Sequence, residues 1–427
     1  MKKLSIVNIQ IGFFLLNGLI LFGLDWSSEP IITADTITYL SANGQRPWLI
    51  QYLFATLFEG NGGQIVCFQK VLHGVAAAFF VNAIIRIVGS RNLKIALIII
   101  SYSLFNWWNI VGWTHVILSE SLCFSFLVIT TSCLFMIFLS KFKYLWMILF
   151  ICGVILTSGI RDHFHFIFLT ISLITVIYSL LIDKRKTAYF SMVLVLCFIQ
   201  SFYVSKAIKE NARHTLVTCN LVQMRLIQIP EAKNYFINHG MPTPVELDTM
   251  IGQPSWAYDE YLFKTKKLED YVHWIQTNGM ETYQSFLISH PKYLITYPFT
   301  DREVYRLDAP TAYPNYPSNG IFWAFTILFP IFNFKTTLLL LILGIVNMYK
   351  SKNLNLFFVP LIFLCLGILE FYISYHADTR EISRHLIRVS PLFQLSAFAS
   401  IVLIIDNYLQ KRNKGLKNEL TSQIPPE

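Results

Sequence analysis

Apolar runs recur along the chain at roughly 5–24, 65–88, 95–112, 116–139, 144–160, 164–182, 187–206, 321–349, 354–374 and 386–408. Each approaches the about 20 residues that a helix needs to cross a hydrocarbon core, where every backbone N–H and C=O must be bonded inside the segment. That requirement restricts the fold more than any other feature. The expectation is an all-α polytopic membrane protein of about ten transmembrane helices. Composition agrees: 54% of the 427 residues are hydrophobic and 14% charged, with 36 phenylalanines, unlike a soluble domain.

A net charge of +9 does not point to nucleic acid, because the basic residues form small clusters between apolar runs instead of one stripe. Lys2 and Lys3, then Arg86, Arg91 and Lys94, Lys141 and Lys143, Lys184 to Lys186, Lys350 and Lys352, and Lys411 to Lys417 fall at every second connection. This is the positive-inside pattern, and it predicts cytoplasmic N- and C-termini. "MKK" before an apolar run resembles a signal peptide, but "FGLDWSS" offers no small-x-small cleavage site, so the first helix is expected to be retained.

The chain divides into an N-terminal transmembrane module at 1–206 with a first outer loop at 25–64, an insert at 207–320, C-terminal transmembrane helices at 321–410 and a cytoplasmic tail at 411–427. Helical periodicity in "YDEYLFKTKKLEDYVHWIQTNGMETYQSFLIS" makes the insert a mostly helical extracytoplasmic domain. Lys335 falls inside the run 321–349, which is read as one crossing, either a tilted helix that hides this lysine in the bundle or an interfacial stretch followed by a short span. Six of the seven cysteines lie in or beside predicted helices and only Cys219 in an outer region, so neither a disulfide framework nor a metal-type spacing exists. No P-loop or Rossmann glycine pattern gives a nucleotide a home, and no cofactor is expected. A divalent metal is not evident either.

With this topology the ionisable residues not used for orientation gather on the outer side. They are Asp35 and Arg46 in the first loop, His115 and Glu120 at the start of the fourth helix, and Arg161, Asp162 and His163 between the fifth and sixth. Glu370 ends the ninth, and Arg380, Arg384, His385 and Arg388 lead into the tenth. Charges at a membrane edge are costly and line cavities, so an outward polar site is expected.

Asp35 in "ADTITYLSAN" has two readings, a helix N-cap or a base. Capping would lower its pKa and weaken it as a base. Pro47 suits a helix start in "PWLIQYLFATLF", with Trp48 and Tyr52 as interface anchors. Glu120, about a turn and a half inside its helix, either pairs with an arginine from another helix or lines the site. Arg161 and Asp162 make a local ion pair or, with His163, meet phosphate or sugar hydroxyls. His165 falls on another side of its helix and packs. Arg384 and Arg388 share a helix face at i and i+4, suited either to anionic membrane lipids or to a lipid-linked phosphate.

The order of these features, "DTITYLSANGQRPWL", "SES", "RDH" and a late "SRHLIRVSPLF", resembles the GT-C class of polytopic glycosyltransferases. The likeness covers 1–206 and 354–408; His385 follows Arg384 where the family motif has tyrosine. The resemblance implies a polyprenyl-phosphate-linked sugar as donor and Asp35 as general base in an inverting transfer. The donor phosphate and substrate would be bound by Arg161, Asp162, His163, Arg384, His385, Arg388, Arg380, Glu120 and Arg46. The first loop lacks the paired acids seen in some members of the class, so the resemblance carries over no metal site. The expected acceptor is a cell-envelope glycan such as an O-antigen or lipopolysaccharide, met on the outer face of the cytoplasmic membrane. Two alternatives stay open, an O-antigen polymerase or ligase acting on a diphosphate-linked glycan, and a lipid-linked glycan flippase or transporter.

Overall fold

The computed structural model describes residues 5–23, 29–33, 35–41, 46–182, 184–210, 214–253, 259–300, 354–377 and 386–422, with isolated positions at 339, 342, 343 and 346. Apart from those four positions, the eighth predicted crossing, with Lys335, lies outside the described residues, as do Arg380, Arg384 and His385.

Among the described residues the secondary structure is helical and no strand forms. In chain order the helices are α1 (Ile6–Gly18), α2 (Thr36–Leu40), α3 (Trp48–Gln51), α4 (Gly62–Ile87), α5 (Arg91–Phe105), α6 (Trp108–Val111), α7 (Ser119–Leu139), α8 (Lys143–Ile160), α9 (Phe164–Ile182) and α10 (Lys184–Glu210). Then come α11 (His214–Leu221), α12 (Pro230–Asn238), α13 (Val245–Asp248), α14 (Asp259–Lys264), α15 (Glu269–Trp274), α16 (Met280–Ser289), α17 (Pro291–Thr296), α18 (Leu354–Ala377) and α19 (Val389–Ser422). Several starts follow from local chemistry. Ser5, Asn61 and Ser90 each accept a hydrogen bond from a first-turn N–H of the helix they precede. Pro230 and Pro291 open α12 and α17, where a missing N–H costs nothing.

Among the described residues seven helical segments are long and apolar enough to cross a membrane: 62–87, 119–139, 143–160, 164–181, 187–208, 358–377 and 389–410. The molecule is therefore an all-α, multi-pass membrane protein. Two other predicted crossings form shorter helices, the first at 6–22 and the third as the 15-residue α5.

The chain forms two compact units. The first comprises 1–201, 310–367 and 390–427. Its centre is α7, whose side chains are nearly all buried, whereas α10 leaves large apolar side chains such as Val195, Phe198 and Phe202 exposed. Aromatic rings join the helices. Phe80 of α4 meets Phe105, Phe363 and Phe398 with ring centroids 5.7, 5.8 and 6.3 Å away, and Phe138 of α7 lies 4.5 Å from Phe190 and 4.4 Å from Phe358. Asp406 of α19 accepts hydrogen bonds from the backbone N–H groups of Gly89 and Ser90, tying the α4–α5 turn to the last helix.

The second unit comprises 202–309 and 368–389. It takes in residues 207–309 of the predicted insert, whose last residues 310–320 fall in the first unit, together with the end of α18 and the turn before α19. Its own core gathers Cys219, Leu226, Phe236, Leu268, Trp274 and Phe286, among others. Phe236 sits 5.9 Å from Trp274 and 6.2 Å from Phe286, and the Trp274 indole N–H donates to the His239 carbonyl at 3.1 Å. Each such buried aromatic contributes about 1.5–3 kcal/mol.

Candidate functional site

The first unit assembles one polar cluster from three distant stretches of chain. Its base is the extended segment before α7. There Ile31 N–H donates to the His115 carbonyl at 2.8 Å, and Ile117 N–H returns a bond to Ile31 at 3.1 Å. Thr36 Oγ1 donates to the Ile117 carbonyl, and the Gln69 amide of α4 donates to the Thr114 and Val116 carbonyls. These bonds hold 116–118 out of the helix. Consequently α7 begins at Ser119, and Glu120 lies in its first turn instead of a turn and a half inside.

From Ser119 the polar contacts run in two directions. Arg161, at the C-terminal end of α8, donates through Nε to Ser119 Oγ at 2.9 Å and through Nη2 to Glu120 Oε1 at 2.5 Å. In the other direction the Tyr39 hydroxyl lies 3.2 Å from Ser119 Oγ. The guanidinium of Arg46 covers the Tyr39 ring at 4.4 Å, its Nε donates to Thr38 Oγ1 at 2.9 Å, and its Nη2 lies 3.6 Å from Asp35 Oδ1. Asp35, Arg46, Tyr39, Ser119, Arg161 and Glu120 therefore form a continuous series of contacts. Burial grades along it: Glu120 is 2% exposed and Arg161 14%, whereas Arg46 and Asp35 are 30% and 35% exposed.

The electrostatics follow from those positions. A carboxylate in a helix's first turn and a cation at a helix's last carbonyls are each favoured by the aligned peptide dipoles, which supports Glu120 and Arg161 where they stand. The Asp35–Arg46 contact is longer and wetter, worth at most about 1 kcal/mol, which leaves the carboxylate accessible to a substrate. Asp35 sits immediately before α2 but makes no capping hydrogen bond, because its backbone is helical (φ −69°, ψ −25°) and not extended as a capping residue requires.

The turn Arg161–His163 carries the remaining residues of "RDH". The His163 ring lies tilted beside that of Phe164 with centroids 4.5 Å apart, and the Asp162 carbonyl bonds the Nδ1 of buried His165. Trp48 and Tyr52 are 56% and 50% exposed on the short apolar helix that starts with α3, the placement of interface anchors. Gly159 lets α3 approach α8, since a Cβ there would lie 2.8 Å from Leu49 Cβ and 3.0 Å from the Trp48 indole.

The second unit holds a separate set. Arg388 stands in a short turn just before α19, not a turn inside it, and is 1% exposed. Its Nε and Nη2 lie 2.7 and 2.5 Å from Glu370 Oε1, which also accepts from Ser374 Oγ at 3.2 Å. This buried charge is thus matched by a carboxylate, an arrangement that holds the end of α18 to the turn before α19. Nearby in the same unit Arg225 donates to the Tyr375 carbonyl at 2.9 Å and stacks on its ring at 4.2 Å. Burial pushes the Tyr283 phenol well above its ordinary pKa, with Arg225 opposing the shift. His376 Nε2 donates to the Leu294 carbonyl, so its Nδ1 accepts from the Tyr283 hydroxyl at 3.1 Å.

Sequence reasoning missed Tyr39, which lies inside the quoted "DTITYLSANGQRPWL" but was given no role there, and Arg225, which sits in no motif. The Ser119 contact was foreshadowed by "SES" alone. Among the described residues no group of three or more His, Cys, Asp or Glu lies close enough to hold a metal ion. Comparison of the chain with protein-family models, curated proteins and solved structures found no match.

Proposed function

We propose that this chain is an inverting glycosyltransferase that moves a sugar from a polyprenyl-phosphate donor to a cell-envelope glycan acceptor on the outer face of the cytoplasmic membrane. The observation that carries the reading is the polar series in which an accessible carboxylate, Asp35, is joined to Arg46 and, through Tyr39 and Ser119, to Arg161. Asp35 takes the proton of the acceptor hydroxyl as its oxygen bonds to the anomeric carbon. The bond from that carbon to the phosphate oxygen breaks, the polyprenyl phosphate leaves, and the configuration inverts. Arg46 and Arg161 offset the charge that develops on the leaving phosphate. Arg384, His385 and Arg380 are assigned to the same phosphate by resemblance alone.

The test is transfer from a labelled polyprenyl-phosphate sugar in membranes. Asp35→Asn is expected to lower the rate by about 10²–10⁴-fold, the contribution of a positioned base, with protein level unchanged. Transfer that survives this change removes Asp35 from the mechanism. Movement of an intact lipid-linked glycan across the bilayer with no new glycosidic bond would replace the reading with a flippase.

A further inference from the structure

The second unit carries an apolar face that its own core does not use. On α16, α17 and the turn that follows, Ile288, Ile295 and Phe299 are 79%, 53% and 43% exposed, and Lys292 stands exposed among them. The opposite side of the same stretch packs inward. There Tyr293 lies 5.1 Å from Phe286 and 6.0 Å from His376, and Pro298 is buried.

What covers the outward side is indicated by the helix it adjoins. The Tyr372 hydroxyl donates to the Ile295 carbonyl at 3.3 Å, His376 donates to the Leu294 carbonyl at 3.0 Å, and Phe299 lies 5.6 Å from Phe371. All three anchors belong to α18, whose residues 358–377 form a membrane-length apolar helix. Twenty helical residues rise about 30 Å, the thickness of the hydrocarbon core. Phe371 and Tyr372 stand six and five residues before Ala377, so they lie about 8–9 Å inside the end of the span. Interfacial helices bury their apolar faces about 5–10 Å into the boundary between headgroups and acyl chains. The two depths agree.

We propose that residues 288–299 lie on the bilayer surface, with Ile288, Ile295 and Phe299 against acyl chains and Lys292 extended to lipid phosphates. The side-chain types fit that layer. Tyr297 and Tyr372 supply the ring-plus-hydroxyl chemistry enriched at membrane interfaces, and a lysine stem can cover apolar surface while its ammonium stays wet. The segment becomes a foot by which the second unit rests on the membrane, independent of which reaction the protein performs.

The experiment places a photoreactive benzoylphenylalanine at one position at a time in the full chain, reconstituted in vesicles of phosphatidylcholine and phosphatidylglycerol. Leu181, 80% exposed in a membrane-length helix, is the lipid-facing reference. Val245, equally exposed at 79% but followed by Glu246 in an ion pair with Lys267, is the water-facing one. Irradiation is expected to give phospholipid adducts at positions 288 and 295 within about threefold of position 181 and more than about tenfold above position 245. Adducts at 181 with no more at 288 and 295 than at 245 would overturn the proposal. So would cross-linking of position 288 to a second copy of the chain in place of lipid.

Discussion

Glu120 and Arg161 are 41 residues apart in sequence and 2.5 Å apart in space, and the pair shows how one residue can be separated into structural and chemical roles. Breaking a buried pair by removing one partner costs about 3–5 kcal/mol, because the remaining charge is left without its counterpart, whereas replacing both with apolar groups is often neutral. Glu120→Gln is therefore expected to lower unfolding stability in detergent by roughly that amount. A Glu120→Leu and Arg161→Leu double variant should recover most of it and still fail in sugar transfer. Recovery of both stability and transfer would make the pair a fold element with no part in catalysis. Tyr39 is separable in the same way. Tyr39→Phe keeps the ring beneath Arg46 and deletes the bond to Ser119, at a stability cost of about 0.5–1.5 kcal/mol. Tyr39→Leu also removes the cation–π contact. If the ring positions Arg46 against the donor phosphate, only the leucine variant should raise KM for the donor.

At the scale of elements, the α7–α8 hairpin explains why part of this site was legible beforehand. The connection between Leu139 and Lys143 is too short for anything but an antiparallel return, and the two helices are of similar length. Residues at the start of one must then meet residues at the end of the other, so "SES" and "RDH" converge. That Glu120 pairs with an arginine from another helix was one of its two readings, but which arginine was not legible. Local spacing offered Asp162 to Arg161, but the chain's return brings Glu120 within reach at the favourable helix end. The position of Glu120 within α7 was misjudged because residues 116–118 are as apolar as a helix yet are held extended by Ile31 and Gln69. Asp35 matched a capping pattern that its backbone angles do not satisfy. The two helices also meet closely. A Cβ on Gly153 would collide with the Thr130 side chain, whose hydroxyl already donates to Phe126 and lies 3.3 Å from Thr157 Oγ1. Small residues permit such approach between membrane helices. Gly153→Leu is expected to cost about 1–3 kcal/mol by overpacking and to lower transfer by shifting Arg161 from Ser119. Gly12→Ala in α1, with nothing within 4 Å of the added carbon, should do neither. Thermal unfolding and transfer assays on both variants check the contrast.

For the whole molecule, the reading of function depends on sidedness, which a membrane-length helix converts into a measurement. The eighteen residues of α8 separate Lys141 from the Arg161–His163 turn by about 27 Å, enough to put them on opposite membrane faces. The charge pattern assigns Lys141 to the cytoplasm. In sealed right-side-out vesicles, a His163→Cys variant is expected to react with a membrane-impermeant maleimide at once, and a Lys141→Cys variant only after permeabilisation. The unsubstituted protein, labelled in parallel, sets the background of the seven native thiols. Cys219 lies fully buried in the core of the second unit, and burial pushes its thiol up to about 12, so it supplies almost no thiolate near pH 8 and should label only after denaturation. Cys152 is exposed on α8 itself, and if that helix crosses it is expected to meet acyl chains that exclude a charged reagent. Labelling of both variants from one side would mean that α8 does not cross, and every assignment of charges to one face would fail with it. Labelling in the reverse order would keep the membrane fold but move Arg161 to the cytoplasmic side, away from a donor presented on the outer face. That result leaves the polar series intact as structure and removes the proposed chemistry from it.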